Sequence, residues 1–112
     1  MENEDIFSSL LLELRRGVLT ISVLSQLKEK EYGYSLVQKL SGQGIEIDAG
    51  TLYPMLRRLE KQGVLSSNWT LDEARPRRYY YLNEQGKKIL EDLKKEWYLM
   101  CNVLNKQLEE EG

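Results

Sequence analysis

Between Asp48 and Gly63, apolar side chains fall at Leu52, Met55, Leu56 and Leu59, the i, i+3, i+4, i+7 spacing of one helical stripe. Such a stripe faces a core. Asp48 as N-cap and Gly63 as the residue after the C-cap give the predicted helix a start and a stop. Its opposite side carries Gly50, Tyr53, Pro54, Arg57 and Lys61, a narrow polar and aromatic face with two positive charges, of a size to enter a DNA groove. Pro54 is the awkward member, because deeper than the first turn it forfeits a backbone hydrogen bond and crowds the carbonyl four residues back. A late helix start, or a slight kink eased by Gly50, is the expected compromise.

Upstream, Ile6 to Lys28 has Phe7, Leu10, Leu11, Leu14, Val18 and Ile21 at helical spacing, with Leu12, Leu19, Val23, Leu24 and Leu27 on a second side. A helix apolar on two sides is expected to be buried on two sides, one against its own domain and one against a partner. Gly17 costs about 1 kcal/mol relative to alanine and is a candidate close helix crossing. A second helix is predicted from Tyr34 to Leu40, with Gly33 and Ser35 at a start whose free amides suit a DNA phosphate. Tyr32 and Tyr34 are read first as half-buried at that start and second as DNA contacts. Ser41-Gly42-Gln43-Gly44 ends the helix, and Ile45 and Ile47 alternate with Glu46 in a short extended segment.

Val64 to Trp69 is rich in strand and turn residues, residues 71–76 form a polar connection, and the tyrosines of Arg77 to Leu82 favour a strand. A hairpin directly after a helix-turn-helix is a wing, and Arg75, Arg77 and Arg78 set positive charge where it meets phosphates or a minor groove. From the wing onward Leu90, Leu93, Trp97, Met100, Leu104 and Leu108 make a coiled-coil-like seam too long for so small a domain to cover. The seam is expected to pair with a second copy, together with Phe7, Leu10, Leu11 and Leu14 of the first helix. Two recognition helices would then lie about one DNA turn apart, roughly 34 Å, on an inverted-repeat operator.

The predicted fold is mainly α with a small β-hairpin: a winged helix-turn-helix over residues 1–83 and a long C-terminal dimerisation helix over 84–112. Composition narrows the chemistry. With 112 residues, 41% hydrophobic and 30% charged, the chain suits one compact soluble domain. It has no apolar run long enough to span a bilayer, and its acidic N-terminus is the reverse of a signal peptide's basic start. A cytoplasmic protein without membrane contact is expected, and the lone Cys101, unable to form an internal disulfide, agrees. With no histidine and one cysteine, zinc sites and histidine-based triads lack ligands. No glycine-rich phosphate loop occurs, so neither a cofactor nor an enzyme activity is expected. The net charge of −2 hides its distribution: residues 1–14 carry −4, residues 15–83 carry +4 and residues 84–112 carry −2. A basic centre between acidic ends is compatible with a DNA-facing surface.

The series Leu14-Arg15-Arg16-Gly17, Tyr32-Gly33-Tyr34, Gly50-Thr51-Leu52-Tyr53-Pro54-Met55-Leu56-Arg57-Arg58-Leu59-Glu60-Lys61-Gln62-Gly63 and Arg77-Arg78-Tyr79-Tyr80-Tyr81-Leu82-Asn83-Glu84-Gln85-Gly86 resembles the PadR family of bacterial transcriptional regulators. The resemblance runs from about residue 14 to the C-terminus, and the two long runs are specific in combination. It implies a winged helix-turn-helix repressor, dimeric through its last helix, that binds operator DNA and is released by an effector. By that match Thr51, Tyr53 and Pro54 fall on the recognition helix and Arg77 and Arg78 on the wing. Where the family often has threonine before the final helix this chain has Asn83, which caps equally well.

Several residues keep two readings. Resemblance to the smaller, multidrug-sensing members implies that Trp97 faces its symmetry mate and stacks planar aromatic ligands, while the plainer reading is an anchor in a closed dimer interface. Cys101 reads as a small buried hydrophobe ahead of a redox sensor. Arg57, Arg77 and Arg78 read as DNA contacts ahead of solvated ion pairs, and Arg15 and Arg58 are balanced between the two. A functional alternative also stands: a winged-helix module that binds a protein partner, with operator binding lost.

Overall fold

The computed structural model describes residues 2–70 and 76–109. Its elements are α1 (Glu2–Ser25), β1 (Glu31–Tyr32), α2 (Gly33–Gly42), α3 (Ala49–Lys61), β2 (Leu65–Thr70), β3 (Arg77–Leu82) and α4 (Glu84–Glu109). The expected helices and hairpin are all present, with shifted ends: α1 starts before Ile6 and stops short of Lys28, and α2 begins one residue before Tyr34. The hairpin is wider than expected. β1 joins it as a third antiparallel strand in the order β1-β3-β2, pairing Glu31 with Tyr80 and Tyr32 with Tyr79. Strands β2 and β3 pair from Leu65 opposite Leu82 out to Thr70 opposite Arg77.

Helices α2 and α3 end in the same way. Gly44 (φ +94°) and Gly63 (φ +89°) take the left-handed conformation. The next amide in each case reaches back to the helix: Ile45 N donates to Leu40 O (2.9 Å) and Val64 N to Leu59 O (3.1 Å). These are Schellman caps, which satisfy otherwise orphaned carbonyls and turn the following apolar residue back onto the core. Ile45 and Val64 accordingly pack in the same cluster as Leu40 and Leu59. At the other end of α3, Asp48 is the N-cap residue, yet its side chain makes no capping hydrogen bond. Pro54 lies inside α3 as its sixth residue, so the late start expected from its sequence position does not occur. Pro54 has no amide hydrogen to donate to the carbonyl of Gly50, four residues back, and Gly50 is exposed.

The core is built from the end of α1 (Val23, Leu24) and Leu27 in the turn after it, from Leu36 and Leu40 of α2, the stripe of α3, and Leu65, Tyr80 and Leu82 of the sheet. Leu90 of α4 is 5% exposed and belongs to it as well. Two backbone bonds frame the end of β3: Leu82 N donates to Leu27 O in the turn after α1 (2.8 Å), and Asn83 N donates to Val64 O just before β2 (3.4 Å). The Asn83 side chain adds three more, accepting from Gly86 N at 2.8 Å and donating to Gly63 O at 3.0 Å and Ser66 Oγ at 3.2 Å. Gly86 follows because a methyl group there would overlap the Val64 carbonyl.

Burial of α1 divides along its length, not around its circumference as the two-sided pattern suggested. Val23 and Leu24 near its end are buried, whereas Ile6, Phe7, Leu10, Leu12 and Leu14 are all more than half exposed. A side chain at Gly17 would meet nothing within 4 Å, so no close helix crossing is found there among the described residues. The far half of α4 is equally bare, with Tyr98, Leu99, Met100, Val103, Leu104 and Leu108 exposed. The chain is elongated, 59 × 36 × 24 Å along its principal axes.

Candidate nucleic-acid interface

Amphipathic packing decides which side of α3 is offered outward. With Leu52, Met55, Leu56 and Leu59 buried, the exposed arc holds Gly50, Thr51, Pro54, Arg57, Arg58 and Lys61. Arg57 is exposed and has no ion pair among the described residues. Tyr53 differs from the expectation. It is half-buried and packed against the core, its ring lying over Gly33 so closely that a β-carbon there would overlap it. A tyrosine on the polar side of α3 turns inward because glycine at the start of α2 leaves room for its ring.

The wing stands beside this arc. Arg77 is exposed, with its guanidinium carbon 4.7 Å from the Tyr32 ring centroid, a cation–π contact that orients the charge without neutralising it. Tyr32 is fixed in turn by a 2.8 Å hydrogen bond between its hydroxyl and Thr70 Oγ1 and by an edge-on contact with Tyr79. Arg78 is committed elsewhere: Nη2 lies 2.8 Å from Glu60 Oε1 of α3 and Nε donates to Ser67 Oγ at 3.0 Å. It therefore joins wing to helix within the chain. Arg75 lies outside the described residues.

At the start of α2, Tyr34 is 69% exposed, its hydroxyl accepting from Gln38 Nε2 at 3.1 Å. The Ser35 hydroxyl is turned back toward Glu31 Oε1 and Tyr32 O, each at 3.0 Å, so it is not presented to a ligand. The N-cap residue Tyr32 supplies no side-chain acceptor to the first amides of α2. Tyr34, Tyr53, Arg57, Trp69, Arg77 and Arg78 thus surround an open cleft of about 300 Å³ between recognition helix and wing. It is walled by aromatic rings and lined by three arginines. Arg57 and Arg77 are exposed there with no ion pair among the described residues, whereas Arg78 is held by Glu60.

A family model for PadR-like transcriptional regulators matches residues 23–92. The chain belongs to the PadR-like family. A PadR family regulator from Eggerthella lenta is 48% identical, with a TM-score of 0.89 and 97% of both chains covered. A transcriptional regulator from Mycobacterium tuberculosis is 35% identical over 79 residues, covering 70% of this chain and 74% of that protein. Bacillus subtilis PadR, solved in complex with operator DNA, is 26% identical with a TM-score of 0.62, over 68% of this chain and 45% of its own.

Against the PadR frame, the residues expected at a dimer seam divide in two. Leu90 is buried in the chain's own core, and Leu93, half-buried, is packed against it. Phe7, Leu10, Leu14, Met100, Leu104 and Leu108 are exposed and Leu11 is half-buried. Trp97, 37% exposed, borders an apolar cleft of about 200 Å³ with Val18, Ile21, Ser22 and Ile45. Sequence reasoning missed the roles of Glu60 and Ser67 and the bare side chains Tyr98, Leu99 and Val103. The last three carried a signal, since they widen the α4 seam into an apolar face.

Proposed function

We propose that this PadR-like regulator is a repressor that binds an inverted-repeat operator as a homodimer and is released by a small aromatic effector. The observation that carries the reading is the pairing of a basic helix-and-wing surface with two bare apolar helix stretches on one small chain. Exposed apolar area of this extent marks an interaction surface. The first half of α1 and the second half of α4 supply it, at Phe7, Leu10, Leu14, Leu99, Met100, Val103, Leu104 and Leu108. Residues 1–83, with the opening turns of α4 that pack beneath them, act as the reading head, and the remainder of residues 84–112 as the dimerisation arm. Acting on the chromosome, the protein works in the cytoplasm, and among the described residues no helix is long and apolar enough to cross a membrane.

On the DNA, Arg57, Lys61 and Arg77 meet phosphates while Gly50, Thr51 and Pro54 lie nearest the base edges. Tyr53 contributes by setting the α2–α3 angle through Gly33, and Tyr34 flanks the phosphate-facing start of α2. Release follows from the position of the Trp97 cleft. Its wall includes Ile45, three residues before the N-cap of α3, so a planar ring wedged there displaces the segment that leads into the recognition helix. An electrophoretic shift with the DNA upstream of the protein's own gene tests the reading. Retardation at nanomolar protein that outlasts excess random DNA supports it, and equal competition by random DNA contradicts it.

A further inference from the structure

The last turn of α3 holds an acidic residue among bases. Arg57, Arg58, Glu60, Lys61 and Arg78 line one shallow face, and a carboxylate there would repel the phosphates that its neighbours attract. In the structure that carboxylate is fully engaged from the wing side. Glu60 Oε1 accepts from Arg78 Nη2 at 2.8 Å and Oε2 accepts from the Ser67 hydroxyl, while Arg78 Nε donates to Ser67 Oγ at 3.0 Å. The guanidinium is flanked by the Trp69 and Tyr80 rings, 5.8 and 5.4 Å from their centroids. Both partners are partly shielded, with side chains 36% and 28% exposed, which strengthens the pair relative to a fully solvated one.

Resting on the DNA-binding reading above, we infer that Arg78 acts on DNA through Glu60: it cancels and pins that carboxylate, leaving Arg57, Arg58 and Lys61 to meet phosphates unopposed. Arg78 is thus a positioning residue of the interface. A direct phosphate contact would require it to abandon both hydrogen bonds and uncover the opposing charge. The contrast with Arg77, its exposed neighbour on the outer side of the same strand, is the alternation of a β-strand put to two uses.

The test is a four-protein cycle on a random-sequence duplex at fixed salt: wild type, Arg78→Gln, Glu60→Gln and the double variant. Uncovering one unit charge about 4 Å from a phosphate across water weakens binding by about fivefold, the loss expected for Arg78→Gln. Glu60→Gln alone should bind at least as tightly as wild type. The double variant should return to within about twofold of wild type. A double variant as weak as Arg78→Gln, with a salt slope lowered by about 0.9 in both, overturns the inference and makes Arg78 a phosphate contact. The unaltered protein gives a second readout. Arginine-selective labelling with phenylglyoxal should find Arg78 slow with and without DNA and Arg77 protected by DNA, whereas rapid labelling of Arg78 that DNA suppresses would refute the assignment. Failure of the wild type to bind any DNA would remove the regulator reading itself and this inference with it.

Discussion

Asn83→Ala should destabilise the protein by about 2–3 kcal/mol, far more than a polar surface substitution. One side chain makes three hydrogen bonds here: it caps α4 at Gly86 N, closes the end of α3 at Gly63 O and reaches Ser66 of β2. Loss of an N-cap costs about 1 kcal/mol, and a half-buried carbonyl left without its donor costs about 1 kcal/mol or more. The Ser66 contact adds a smaller share. Asn83→Thr separates these contributions, since a threonine hydroxyl restores the cap but cannot bond Gly63 O and Ser66 together. It should recover about 1 kcal/mol of the loss. Urea unfolding at one fixed protein concentration measures both variants, fixed because a dimer's apparent stability depends on concentration. An Asn83→Ala variant within about 0.5 kcal/mol of wild type, or a threonine variant no better than alanine, would refute this account of how α4 is tied to the reading head.

Arg77→Ala should weaken operator and random DNA alike and lower the salt slope by about one, as for a lost phosphate contact; an unchanged slope would deny it a place on the backbone. Gly33→Ala forces the Tyr53 ring out of its seat, so operator affinity should fall while Gly33→Ala combined with Tyr53→Ala regains the thermal stability of Tyr53→Ala alone; no recovery in melts would mean that the two residues do not share the space. Planar aromatic compounds should quench tryptophan fluorescence, and the quenching should vanish in Trp97→Phe. Quenching retained in that variant would move the ligand away from the cleft with Val18, Ile21 and Ile45.

The parts of the fold visible in the sequence are those set by local rules. The α3 stripe at Leu52, Met55, Leu56 and Leu59 and the left-handed Gly63 both appear as expected, because helical periodicity and a glycine's conformational freedom act within a few residues. Asn83 caps α4 for the same reason. What escaped depends on partners distant in sequence. β1 is two residues long and is a strand only because Tyr79 and Tyr80 lie alongside. Arg78 and Glu60 are 18 residues apart, with nothing local to mark them as a pair. The inward turn of Tyr53 is decided by Gly33 on another helix. Leu90 and Leu104 continue one apolar phase, yet the first is covered by its own core and the second is exposed. Periodicity identifies an apolar face but not what covers it.

The central claim is that two chains join through the bare stretches of α1 and α4 to hold a matched pair of reading heads. Sedimentation equilibrium at micromolar concentration tests it most directly, on the wild type and on a Leu104→Glu variant altered at an exposed α4 position. The account predicts a wild-type species of twice the 13.1 kDa chain mass and a shift toward the single chain in the variant. A wild-type protein that sediments only at 13.1 kDa would contradict it.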